Sequence, residues 1–142
     1  MILDSKDKIL KIIDYSKTSK PYNDDVVNFI SDLSSNLRKN SEAKNYNDIM
    51  HFAFWCRKSN IINKKLNFQK MFKNRLGLGT IFHIPPSNIP INFAYSFIFG
   101  LITGNRNIVR VSKKSSPQSD IVINQVIKLA KKKYKSILKE NF

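Results

Sequence analysis

The fold of this chain turns on eight residues, "HIPPSNIP", His83 to Pro90. They separate a short apolar run, "LGTIF" (78–82), from a longer one, "INFAYSFIFGLI" (91–102). Proline fixes φ and has no N–H to donate, so Pro85, Pro86 and Pro90 stop both a strand ladder and a helix from running through the hinge. On the near side, "LGLGTIFHI" (76–84) carries glycines, a β-branched pair and aromatics over the length of a strand. On the far side, Pro90 suits the first turn of a helix, where its missing N–H is not needed. That helix, from about Pro90 to Thr103, is apolar nearly all round, which predicts burial on most faces. Gly104-Asn105 is a C-terminal stop.

The sequence beyond repeats the alternation. "NIVRV" (107–111) reads as a second strand and "SKKSSPQS" (112–119) as a polar loop. Pro117 or Ser119 opens a last helix, with the apolar stripe Ile123, Val126, Ile127, Ala130, Tyr134 and Ile137. Two strands joined by a helix of crossover length run parallel. In open α/β sheets, ligands sit beyond the carboxyl ends of the strands. The loops that leave those ends here are "HIPPSN" and "RVSKKS", and both open on the same edge.

Upstream, the chain reads as helical. Residues 5–16 form a short amphipathic pattern. Asp24 and Asp25 then open a clearer helix, with Val26, Phe29, Ile30, Leu33 and Leu37 on one face and Arg38 and Lys39 at its end. "NSEAKNYND" (40–48) is a polar linker whose Asp48 is placed to cap the next helix. That helix carries Ile49, Phe52, Ala53, Trp55 and Cys56 and runs on into "RKSNIINKK". The expected division is a helical segment over 1–75 and a β-α-β-α unit over 76–142.

Composition narrows the function. The formal charge is +15, and residues 1–50 contribute none of it, with eight basic and eight acidic side chains. Residues 51–142 carry 17 basic and 2 acidic side chains. Such a field favours phosphorylated ligands or an acidic partner. Aromatics lie in apolar runs rather than among the basic residues and no recognition motif is visible, which argues against nucleic acid. A single cysteine, Cys56, excludes an internal disulfide and fits a reducing compartment. The N-terminus lacks a signal-peptide core, and the longest apolar stretch, 89–102, is shorter than the roughly 20 residues of a spanning helix. The expectation is a soluble, cytoplasmic protein.

The residues alone leave the loops open to two readings. Asn88 either caps the following helix or points into a cleft, where its amide N–H₂ is an oxyanion donor. Arg110, Ser112, Lys113 and Lys114 form either a solvated basic turn or a site for a 2′-phosphate, since no acid follows until Asp120. His83, with only His51 elsewhere, assembles no metal cluster and reads as a packing or hydrogen-bonding residue. Cys56, on an apolar helix, reads as a buried structural thiol. The triplet Lys131–Lys133 reads as solvent-facing.

The run from 79 to 119, densest in "HIPPSNIPINFAYS" (83–96) and "GNRNIVRVSKK" (104–114), resembles the acyl-CoA reductases typified by the fatty-acid reductase of bacterial luminescence. These are a branch of the aldehyde dehydrogenase superfamily. "FAFWCRKSNI" (52–61) adds to the likeness, which covers roughly residues 20 to 130. The superfamily hinge reads Pro-Trp-Asn-x-Pro, matched here by Pro86, Ser87, Asn88, Ile89 and Pro90. The resemblance gives Asn88 the catalytic role of holding the thioester or aldehyde oxygen, and puts Pro85, Pro86 and Ser87 beside the cofactor. The superfamily's second strand ends in Lys-Pro-Ser-Glu, matched by Arg110, Val111, Ser112 and Lys113. Arg110, Ser112 and Lys113 are thereby implied cofactor contacts. Lys113 replaces the glutamate that grips both ribose hydroxyls, which agrees with NADPH.

The family also implies a Rossmann-like cofactor domain of which this chain holds the first crossover. It implies an acyl-CoA or acyl-protein donor, reduction to a fatty aldehyde through a cysteine thioester, and a homo-oligomer or multienzyme complex for the whole protein. Cys56 matches no catalytic position. The nucleophilic cysteine is therefore expected beyond this chain, which reads as an N-terminal portion inactive alone. The alternatives are a non-catalytic basic binding module and an inactive remnant.

Overall fold

The computed structural model describes residues 18–111 and 116–137. The expected helix over 5–16, and Ser112, Lys113 and Lys114 of the second loop, lie outside the described residues. The described elements are α1 (Asp24–Lys39), a 3₁₀ turn (Ala43–Asn45), α2 (Asn47–Trp55), α3 (Lys58–Phe72), β1 (Thr80–His83), α4 (Asn92–Ile102), β2 (Arg106–Val109) and α5 (Pro117–Lys133). The architecture is α/β, mostly helical, with a two-stranded parallel sheet.

The apolar period of α1 is where the sequence put it. Val26, Phe29, Ile30, Leu33 and Leu37 are all buried. Asn23 caps this helix, its side-chain oxygen accepting from Asp25 N at 2.8 Å, while Asp24 and Asp25 occupy the positive first turn. α2 packs against α1 closely enough for Ser34 Oγ to donate to Ala53 O at 2.6 Å. Asp48 does not cap α2. It lies inside the first turn and accepts from Ile49 N, and the cap position belongs to Tyr46.

The helix expected to run on through "RKSNIINKK" is broken. Arg57 adopts extended backbone (φ −60°, ψ 142°), and α3 starts after it. Side chains satisfy the carbonyls at this break. Arg57 Nε and Asn60 Nδ2 both donate to Phe54 O, at 3.2 and 2.9 Å.

The strands pair in register Thr80–Arg106, Ile81–Asn107, Phe82–Ile108 and His83–Val109. β1 is shorter than its apolar run because Asn105 Oδ1 takes the N–H groups of Leu78 (2.6 Å) and Gly79 (3.2 Å). α4 starts at Asn92, later than the position of Pro90 suggests. Asn92 N donates to Ile89 O at 3.2 Å, closing a turn in which Pro90 holds the second position. Gly104, at φ +80°, ends α4 as expected.

One hydrophobic core runs from α1 and α2 through α4 to α5. The buried arc of α5 differs from the expected stripe. Val126, Ala130, Tyr134 and Ile137 are buried, but Val122 and Leu129 replace Ile123 and Ile127, which are half-buried. Just past the end of α5, Tyr134 makes an edge-to-face contact with Phe29 of α1, centroids 5.5 Å apart. At the opposite end of the core three distant backbones meet. Ser19 N donates to Gly104 O (2.9 Å), and Gly77 N donates to Ser19 O (3.1 Å).

Candidate functional site

The two strands end side by side, and the hinge after β1 faces Val111, just past β2, and the start of α5. Pro85, Pro86, Ser87, Ile89 and Pro90 form one wall of a small cleft, with Val111, Ser116 and Ser119 opposite and Phe93 at the base of α4. The space between is about 20 Å³, about one water. Two bonds fix its walls. Ser119 Oγ donates to Pro90 O at 2.6 Å, tying the hinge to the start of α5. Ser116 Oγ accepts from Ser119 N at 3.2 Å and caps α5, with Pro117 at its first position.

Beneath the cleft lies a polar clasp. Asn107 is 1% exposed, and its Nδ2 donates to Asn105 O at 3.0 Å. That bond turns Asn107 Oδ1 toward His83. In the neutral imidazole, Nε2 therefore donates to Asn107 Oδ1 (2.8 Å), and Nδ1 accepts from Ser96 Oγ (2.7 Å). One ring thus joins the end of β1 to α4 and β2. Gly100 makes room for this, since a Cβ there would collide with Asn107 Oδ1. His83 is the hydrogen-bonding residue the sequence indicated.

The expected site residues are distributed as follows. Pro85, Pro86 and Ser87 line the cleft, and Val111, next to Arg110, lines its far side. Arg110 is exposed at the carboxyl end of β2, with its N–H bonded to His83 O at 3.0 Å. Asn88 lies on the exposed turn of the hinge. It does not cap α4, because the cap position is Ile91 and no side chain bonds there. The turn closed over Pro90 moves the helix start beyond the reach of Asn88. Cys56 is fully buried, and burial pushes its thiol far above the ordinary range, so it forms no thiolate here.

Sequence reasoning missed Ser96, Asn105, Asn107 and Ser119. A signal was present for some of them. Asparagine is disfavoured in strands and glycine in helix interiors, so Asn107 in β2 opposite Gly100 in α4 marked a special contact.

No helix among the described residues is long and apolar enough to cross a membrane. Neither the curated proteins nor the solved structures searched gave a match. Among known protein families, the acyl-CoA reductase (LuxC) family matches residues 3–139. That match takes in α1 to α5 and both loops of the cleft, and the chain belongs to the acyl-CoA reductase (LuxC) family.

Proposed function

We propose that this chain is the N-terminal portion of an NADPH-dependent fatty acyl-CoA reductase, built as a helical segment (1–75) and the first crossover of a Rossmann-like, aldehyde-dehydrogenase-type cofactor domain (76–142). The observation that carries this reading is the cleft between the hinge after β1 and Val111, just past β2, in a chain of this family. The donor set fits a phosphorylated nicotinamide cofactor. The second loop offers Arg110, Ser112 and Lys113, and no carboxylate occurs between Asp48 and Asp120. NADPH supplies the hydride that reduces the acyl group.

The chain's own residues bind and orient. Arg110, Ser112 and Lys113 hold the adenosine ribose and its 2′-phosphate, and Pro85, Pro86 and Ser87 form the rigid wall beside it. The Asn88 amide donates to the acyl carbonyl oxygen, stabilising the negative charge that develops there. The acyl-accepting cysteine is not Cys56 but one outside this chain, and the chain alone is inactive. The acyl group arrives on CoA or on a protein donor, and the whole enzyme works in the cytoplasm as an oligomer or complex.

The test is ligand titration of the chain by NMR with adenosine 2′,5′-bisphosphate and with 5′-AMP. Preferential shifts at Arg110 and Ser87 with the bisphosphate are expected. Arg110→Gln is expected to weaken that ligand about tenfold while leaving 5′-AMP nearly unchanged. Equal response to both ligands, or none at either loop, sinks the cofactor assignment.

A further inference from the structure

The ends of α1 and α2 and the start of α3 meet at a corner far in sequence from the cleft. Phe54 sits there, 47% exposed. Arg38 Cζ lies 5.9 Å and Arg57 Cζ 5.3 Å from the centroid of its ring. Both arginines are exposed. Arg57 is also fixed, because its Nε donates to Phe54 O, a carbonyl that Asn60 Nδ2 shares. Only Nε of its guanidinium is used in that bond, and the residue is exposed.

Two of the three acids of α1 are engaged elsewhere, and the third, Asp25, lies in its first turn, at the far end of the helix from Arg38. Asp24 pairs with Lys65 at 3.4 Å, and Asp32 with Lys133 and the Tyr134 hydroxyl, both at 2.7 Å. Arg38 and Arg57 have no carboxylate partner among the described residues. The next stretch deepens the imbalance, since residues 57–75 hold seven cations and no acid.

An exposed cation–π contact contributes about 0.5–1 kcal/mol, which one arginine supplies without exposing the ring. Two unpaired forks around one half-exposed aromatic are instead the residue types that anchor interfaces. Arginine forks match carboxylates in bidentate geometry, whereas lysine acts as a point charge.

We propose that Arg38, Phe54 and Arg57 form a docking site for an acidic segment of a partner protein. Its carboxylates pair with the two forks, and an apolar side chain between them covers Phe54. The two guanidinium carbons are no further apart than the sum of their distances to the ring. Carboxylates one helical turn apart, with Cβ atoms about 5–6 Å apart, reach both. The geometry favours a protein over an anionic membrane. The exposed apolar residues of α3 fall on opposite flanks, Ile62 and Leu66 on one and Phe68 and Met71 on the other, and form no single face to insert. This site is separate from the strand-end cleft and does not depend on the reductase reading.

The test uses the 142-residue chain and a labelled helical peptide with glutamates one turn apart around a leucine, beside its glutamine counterpart. Fluorescence anisotropy is expected to show salt-sensitive binding of the glutamate peptide and about tenfold weaker binding of the glutamine one. The double variant Arg38→Gln/Arg57→Gln is expected to lose about tenfold, with its circular dichroism unchanged. Arg38→Lys/Arg57→Lys keeps the charge and the corner's packing, and is expected to lose about threefold through loss of the forks. Lys131→Gln/Lys132→Gln removes the same charge from the exposed face of α5 and is expected to stay within about twofold. The proposal is overturned if the wild type ignores the glutamate peptide. It is equally overturned if both glutamine double variants lose alike, or if the arginine variants lose phosphatidylglycerol vesicles rather than peptide.

Discussion

The helices and the two strands are held by different physics. The helices share a mainly aliphatic and aromatic interior: Phe29, Ile30, Leu33, Leu37, Ile49 and Phe52 are all fully buried. In the crossover, β1 has no fully buried residue, and the one buried residue of β2 is Asn107. There the fastening is directional, through Asn105 to the backbone before β1 and through His83 to Ser96 and Asn107. Apolar burial supplies most of the free energy of folding but little orientation. Hydrogen bonds contribute less and fix angles. The part of the molecule that aims loops is thus the part that spends polar side chains on position.

The contrast is broken first by truncating Phe29. Phe29→Ala removes a fully buried ring and its contact with Tyr134, and is expected to cost about 3–5 kcal/mol in denaturant unfolding. That is a large share of the roughly 5–15 kcal/mol of an ordinary domain. A loss under about 1 kcal/mol would mean that area burial does not hold the helices.

Asn107→Ala is expected to cost about 1–3 kcal/mol, because it strands buried partners rather than opening a large cavity. Its sharper signature is spectroscopic. Nitrogen chemical shifts of His83 should leave the Nε2–H pattern in the variant, since the acceptor at Nε2 is gone. Unchanged shifts would remove His83 from the clasp.

The smallest effect is at Asp32, whose carboxyl is held below the usual carboxylate range chiefly by the hydrogen bond from Lys133. A depressed folded-state pKa adds stability above the unfolded value, about 3.9 for Asp, and that stability is lost as pH falls through the folded value. The pair is partly exposed and screened, so Asp32→Asn should cost less than about 1 kcal/mol at neutral pH. The two proteins should converge as pH falls through the folded-state value of Asp32. A difference that persists in acid would put the effect in packing, not charge.

The same contrast explains what could be read without coordinates. Helix faces repeat every 3.6 residues, so the buried face of α1 was legible at every position named. In α5, apolar residues at 121, 122, 123, 126 and 127 satisfy more than one arc. Packing against the rest of the core selects the arc through Val122 and Leu129. The parallel pair was legible from the crossover length and the proline hinge. The bounds of β1 were not, because a side chain 26 residues away takes the N–H of Gly79. In the cleft, the prolines marked the loop correctly. The position of Asn88 was not legible, because the turn over Pro90, and not any property of Asn88, sets where α4 begins.

The junction of Ser19, Gly77 and Gly104 has a kinetic consequence. It closes two long loops at once, and the chain entropy of that closure falls due before any local contact repays it. Weakening a contact that forms after the folding transition state accelerates unfolding and leaves refolding almost untouched. Gly104→Ala, whose Cβ would strike Ser19 O at a backbone φ of +80°, should raise the unfolding rate and leave refolding nearly unchanged. The helices then decide how fast this protein folds, and three backbone segments with no side chain in common decide how long it stays folded.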